Sequence, residues 1–161
     1  LADAYWQYGV LLRKEGAVED ALRNLRRALE LKPTRYEVHA ALAETFEDKN
    51  DRATAMAEWA KAIAADDTRP FWRFRYGRLL FDRGSMAEAV SHLRFAADKA
   101  AEAPRPAWAV SADFMAGEAL KKTGKRAEAI PYFKRFLETA PANSPDRKDA
   151  QKAMDEPAPQ R

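Results

Sequence analysis

The chain has 161 residues, 47% of them apolar and 33% charged, a balance that folds and excludes a chain disordered as a whole. It contains no cysteine, which excludes a disulfide framework, a cysteine-ligated zinc and a thiol nucleophile. A net charge of +3 falls short of the clustered excess of a dedicated nucleic-acid binder. Alanine fills 34 positions and glycine only 6, and that pairing favours helix over strand.

The first segment places Tyr5, Tyr8, Leu11 and Leu12 at helical spacing. Lys14-Glu15-Gly16 then supplies a glycine where a helix end needs positive φ. A second helix follows through Val18, Ala21, Leu22, Leu25, Ala28 and Leu29, and Pro33 ends it. Further on, Glu37, Glu44, Glu47, Asp48 and Asp51 stand against Lys49, whereas residues 69–78, RPFWRFRYGR, carry four arginines and no acid.

This helix-turn-helix unit recurs. The glycines fall in pairs seven apart: Gly9 and Gly16, Gly77 and Gly84, Gly117 and Gly124. Gly9 and Gly77 are separated by twice 34 residues, with Ala43 and Asn50 midway. Ala21, Ala55 and Ala89 keep the same beat, as do Ala28, Ala62 and Ala96, and Leu25, Trp59 and Leu93. A fourth copy resumes after six inserted residues with Ala129, Phe133 and Phe136. The small residues belong where paired helices approach closely.

The pattern resembles the tetratricopeptide repeat family, through Gly9, Ala21, Leu25, Ala28 and Pro33 in copy one and Leu42, Ala43, Phe46, Ala55, Trp59 and Ala62 in copy two. Copy three matches through Tyr76, Gly77, Leu80, Ala89, Leu93 and Ala96, and copy four through Gly117, Leu120, Ala129, Phe133 and Pro141. Arg73 and Asp113 depart from it, standing where an apolar residue is expected, and the closing proline is missing after copies two and three. The resemblance implies an all-α fold, a right-handed α-solenoid of four repeats over residues 2–141, at about 2–35, 36–69, 70–103 and 110–143. An insertion falls at 104–109, with the preceding helix running to about Ala103 before Pro104 and Pro106 break it. Ser144-Pro145-Asp146 opens a short capping helix within 144–154, carrying Ala150, Ala153 and Met154 on one stripe. Residues 155–161 read as a disordered tail.

No catalytic signature emerges. His39 and His92 sit on different helices without partners at ligand spacing, and no phosphate-binding loop or nucleophile motif appears. The reading is therefore of a non-enzyme without metal, cofactor or small-molecule substrate. No apolar run approaches the roughly 18 residues of a membrane span, so no membrane insertion is expected. The helical pattern is already running at Leu1, which reads as a segment of a longer protein. A cytoplasmic location is the expectation, or a periplasmic one if the full-length protein carries a signal.

Within the family, first helices line a concave face. By resemblance that face receives Trp6, Val10 and Arg13; Glu37, Ala40, Glu44 and Glu47; Phe71, Phe74, Arg75, Arg78 and Phe81; and Phe114, Glu118 and Lys121. The five residues of the third group form one continuous helical stripe. As a binding groove it offers three exposed phenylalanine anchors beside arginine donors. As plain structure, the phenylalanines pad neighbouring helices and the arginines pair with Glu44 and Glu47. The basic clamp of chaperone-binding members is largely absent, since Trp6, Val10, Ala41 and Phe71 stand at its positions. The resemblance thus implies an interaction scaffold or adaptor, in the style of bacterial secretion, pilus or motility assemblies, whose partner is another protein or peptide. Two alternatives remain: polyanion or single-stranded nucleic-acid binding through residues 69–78, and homotypic assembly through the open end of the first repeat.

Overall fold

The structure is a computed structural model that describes residues 1–101 and 104–156. Among the described residues there are nine α-helices and no strand, so the all-helical expectation holds. The chain divides into two compact units, Leu1–Thr68 and the remainder from Arg69. The first unit contains α1 (Ala2–Lys14), α2 (Val18–Leu31), α3 (Glu37–Asp48) and α4 (Arg52–Ala65). The second contains α5 (Pro70–Asp82), α6 (Met86–Lys99), α7 (Ala107–Lys122), α8 (Arg126–Thr139) and α9 (Arg147–Asp155).

Consecutive helices pair as α1 with α2, α3 with α4, α5 with α6 and α7 with α8. The turn inside each pair is built the same way. Gly16, Asn50, Gly84 and Gly124 all adopt positive φ, between 61° and 86°. In each turn the next amide reaches back five residues: Ala17 to the Leu12 carbonyl, Asp51 to Phe46, Ser85 to Leu80 and Lys125 to Leu120, at 2.8–2.9 Å. These bonds satisfy carbonyls that the ending helix leaves open. Asp51 also accepts from the Thr54 amide at 3.1 Å, capping α4.

The pairs close on small residues. A β-carbon on Gly9 would meet Leu25 at 2.8 Å, and one on Gly117 would meet the Phe133 ring at 2.7 Å. Ala21, Ala55, Ala89 and Ala129, the matching alanines of the second helices, are buried. Leu25, Trp59, Leu93 and Phe133 fill the space between the helices and are likewise buried.

The insertion departs from expectation. Helix α6 stops at Lys99 with Ala100 extended, and does not run to about Ala103. Glu102 and Ala103 themselves lie outside the described residues. The cause is Arg105, whose Nη2 donates to the Ala97 carbonyl at 2.6 Å, the acceptor that one more helical residue, Ala101, would need. Helix α7 then begins at Ala107 with Pro106 at its N-cap, close to the helix start that Pro106 marks in the sequence.

Arg105 also explains Asp113. Its Nε and Nη2 donate to the two carboxylate oxygens at 2.8 and 3.0 Å. Arg135 Nε from α8 adds a third donor at 2.7 Å. The Asp113 side chain is fully buried and that of Arg105 is 5% exposed. The apolar position holds a carboxylate because the insertion delivers its counter-charge. Arg73, the other departure, lies over the Phe95 ring at 4.5 Å.

The expected capping helix is α9. Its Ala150 and Ala153 are buried and it packs on α8. Arg147 Nη1 donates to the Leu137 and Ala140 carbonyls at 2.8 and 3.0 Å, closing the end of α8. Asp155, placed in the tail by sequence, is the last residue of α9, and residues 157–161 lie outside the described residues.

Three predictions follow from this packing. Ala89→Leu overpacks a closed pair and should cost about 1–3 kcal/mol, whereas Ala87→Leu, exposed on the same helix, should stay within about 0.5 kcal/mol; urea midpoints measure both. Asp113→Ala strands buried Arg105 and should cost about 3–5 kcal/mol, while Asp113→Leu with Arg105→Met should recover most of that loss. His92 supplies the third. Its ring meets Tyr76 edge-on at 4.9 Å and its Nδ1 is buried without a hydrogen bond. Burial first, and the Arg73 charge second, hold its pKa below the ordinary value. The unfolded chain therefore takes the proton more readily. Stability is complete above the ordinary histidine pKa of about 6.5 and falls as pH drops from there toward the lower folded value. His92→Phe should flatten that part of the melting temperature–pH curve.

Candidate functional site

In the first unit the residues expected on the inner face come from α1 and α3. Trp6, Val10 and Arg13 are half-buried along α1, spaced at three and four residues so that they share one side. The Arg13 guanidinium bridges Glu44 at 2.6 Å and Asp48 at 3.1 Å. Arg35 lies over the Trp6 ring at 4.5 Å and contacts Asp3 at 3.3 Å. Glu47 accepts from Trp59 Nε1 at 2.8 Å. Glu37 is half-buried, near Arg35 at 3.7 Å, and Ala40 is buried. The acidic run is thus largely engaged by side chains of its own unit.

In the second unit α5 carries the aromatic and basic stripe. The structure corrects the expectation of three exposed phenylalanines: Phe74 is only 5% exposed. Its ring centroid lies 5.8 Å from that of Trp108 and 6.5 Å from that of Phe71, and Phe71 meets Trp108 edge-on at 5.7 Å. Trp108 is the second residue of α7 and seals this cluster. Phe71 and Phe81 are half-buried.

The arginines of the stripe cover these rings. Arg75 stands over Phe71 at 5.7 Å and Arg78 over Phe74 at 5.9 Å, each one helical turn beyond its ring. Lys122 approaches Phe81 at 5.1 Å. On α7, Phe114 packs toward Phe136 at 5.1 Å and Phe133 at 6.1 Å, so it serves the α7–α8 contact. Glu118 and Lys121, one turn apart, pair at 2.7 Å.

The stripe therefore has a floor of buried Phe74 and half-buried Trp108, and above it the half-buried Phe71, Arg75, Arg78 and Phe81. A guanidinium held over a ring gains cation–π attraction and has several N–H donors in its plane. That chemistry suits carboxylates and backbone carbonyls. Sequence reasoning placed Phe74 on the inner face because it shares a helical stripe with Phe71, Arg75, Arg78 and Phe81. It missed the buried Arg105–Asp113–Arg135 cluster, although an acid at an apolar repeat position beside an inserted arginine was the available signal. Among the described residues no helix is long and apolar enough to cross a membrane.

The family model described as Tetratricopeptide repeat matches residues 2–35 and 114–143. A curated relative, the type IV pilus assembly protein PilF of Pseudomonas aeruginosa, is 35% identical over 91 residues, covering 56% of this chain and 36% of the relative. The chain thus spans little more than a third of that protein. The solved structure of PilF from the same organism aligns at a TM-score of 0.68 and 28% identity, over 95% of this chain and 65% of that one. YrrB, described as a TPR protein with an unusual peptide-binding site, aligns at 0.82 and 22% identity, over 96% and 74%. MamA aligns at 0.75 and 18%, over 95% and 78%. At those identities YrrB and MamA attest the fold alone.

Proposed function

The chain belongs to the tetratricopeptide repeat family, and from that premise we propose that the α5–α7 face of its second unit docks an extended segment of a partner protein. Proteins of this family are non-catalytic interaction scaffolds, and the reading concerns where and how this one binds. The observation that carries it is the placement of Arg75 and Arg78 over the Phe71 and Phe74 rings. The arginines offer donors to carboxylates and carbonyls, and the half-buried Phe71 and Phe81 offer apolar contact between them. Phe114, Glu118 and Lys121 border this face. Trp6, Val10, Arg13, Glu44 and Glu47 provide a second contact region on the first unit. Phe74 supports the face from below and is not itself an anchor.

The likeness to PilF supports a place in pilus assembly. Its test is a chimera in which the 91 matching residues of this chain replace their counterparts in PilF, expressed in cells lacking that protein. Restored surface pili are the expected result, and bald cells would remove the pilus assignment.

The binding face has its own test. Peptides selected from a displayed random library against the folded protein should be enriched in acidic residues. Arg75→Glu with Arg78→Glu should weaken a selected peptide at least 30-fold, about 2 kcal/mol, by fluorescence anisotropy at unchanged helical circular dichroism. An unchanged affinity would move the site off this face. Competition by a single-stranded oligonucleotide that fades steeply with salt would instead favour the polyanion reading.

A further inference from the structure

One register of the first helices is polar in three successive repeats. His39, Arg73 and Asp113 fall at the same place in copies two, three and four once the six inserted residues are allowed for. Each is met by a side chain of the paired second helix. His39 lies 2.6 Å from Glu58 of α4, Arg73 lies over Phe95 of α6 at 4.5 Å, and Asp113 pairs with Arg135 of α8 at 2.6 Å. At Asp113 a residue from outside the pair is added. Arg105 donates to both carboxylate oxygens and to the Ala97 carbonyl of α6, and its side chain is 5% exposed. Asp113 already has a partner within its own pair, so Arg105 brings more than a counter-charge. Its planar fork fastens the entry of α7 to the end of α6 with defined direction.

The rest of α7 supplies little of that kind. Ala109, Ala112, Ala116 and Ala119 are fully buried along a helix that packs against α6 and α5. A row of methyl groups gives shallow ridges, whereas a buried polar group with few allowed geometries fixes a register. Trp108 and Asp113 stand five residues apart on α7, which turns them to different sides of the helix. A small rotation of α7 would therefore carry the indole across Phe71 and Phe74, which it meets at 5.7 and 5.8 Å. Pro104 and Pro106 flank Arg105 and have no amide to donate, so the Arg105 side chain supplies directed bonds that this stretch of backbone lacks.

We propose that Arg105 is a positioning residue for the α5–α7 face. By fixing how α7 enters the fold it sets where Trp108 stands against Phe71 and Phe74, and with it the shape that a partner meets. The inference rests on the binding role proposed above for that face. A buried ion pair adds little net stability over an apolar pair of similar volume, so the contribution of Arg105 is to geometry. Arg105 acts through Trp108 and does not itself line the face.

The test separates geometry from stability. Arg105→Met with Asp113→Leu removes the ion pair and leaves Arg135 with Asp98. Its urea midpoint should match or exceed that of the native chain. With fluorotryptophan incorporated, the Trp108 fluorine resonance is identified by its loss in Trp108→Phe. It should be single and sharp in the native chain, and shifted and broadened in the double variant. A peptide selected on the native chain, and dependent on Arg75 and Arg78, should bind the double variant about ten-fold more weakly. Arg135→Met, which leaves Arg105 on Asp113, should lower the urea midpoint yet keep both the resonance and the affinity. Arg105→Lys keeps the charge and loses the fork; it should move the resonance in the same direction by less, and it carries the test if the double variant does not fold. The proposal is overturned by a native Trp108 resonance in either Arg105 variant, by a native affinity beside an altered resonance, or by an equal change in Arg135→Met. Selected peptides that ignore Arg75 and Arg78 would instead refute the binding role of the face, and the resonance would then decide by itself whether Arg105 positions Trp108.

Discussion

Everything in this chain rests on how near two helices come within a pair. A glycine or alanine on the first helix faces a large side chain on the second, and the second helix contributes an alanine beside it. At Gly117 a single added carbon would sit 2.7 Å from the Phe133 ring, far inside van der Waals contact. Close approach turns each pair into a nearly flat-sided unit with apolar residues on both outer faces. Such a unit cannot bury those faces alone, so pairs must stack. The four turns with positive φ serve the same end by reversing the chain within three residues. In α3 the close position is Ala43 and the large side chain by register is Trp59, whose indole nitrogen then needs an acceptor and finds Glu47.

Stacking explains where the polar chemistry goes. A helical pair exposes little of its surface, and charged residues that fall inside must bring their partners with them. Asp113 receives Arg105 and Arg135. Glu58, buried on α4, receives His39 at 2.6 Å and Lys61 at 2.7 Å. On α5 the arginines also meet aromatic rings, Arg75 over Phe71 and Arg78 over Phe74, which lowers the cost of drying them. The second unit thus gathers basic donors onto an apolar floor, while the first unit engages its acids locally through Arg13, Arg35 and Trp59.

The repeat pattern was legible because its constraint is steric and local. Glycine and alanine spacing reports helix approach directly, and the four-fold recurrence of the turn residue fixes where each helix ends. Asn50 was readable as a left-handed residue for the same reason, and its φ of 61° agrees. Contacts that depend on the insertion were less legible. The end of α6 is decided by the Arg105 side chain taking the Ala97 carbonyl, and no periodicity encodes that. Phe74 belongs to a helix face that spacing assigns to the groove, yet Trp108 from the insertion region packs on it. Spacing gives the side of a helix and leaves open what covers it.

The insertion therefore does more than lengthen a connection. Six extra residues between helices would ordinarily leave a loop with idle backbone groups. Here Arg105 caps α6 and neutralises Asp113 of α7, and Trp108 fills the space against Phe71 and Phe74. One short segment thereby ties α5, α6 and α7 together and supplies the floor beneath the arginine stripe. Trp108 packs on Phe71 and Phe74 while Arg105, three residues earlier, is held 5% exposed by Asp113, so the same short segment that supports the stripe is anchored by a buried ion pair.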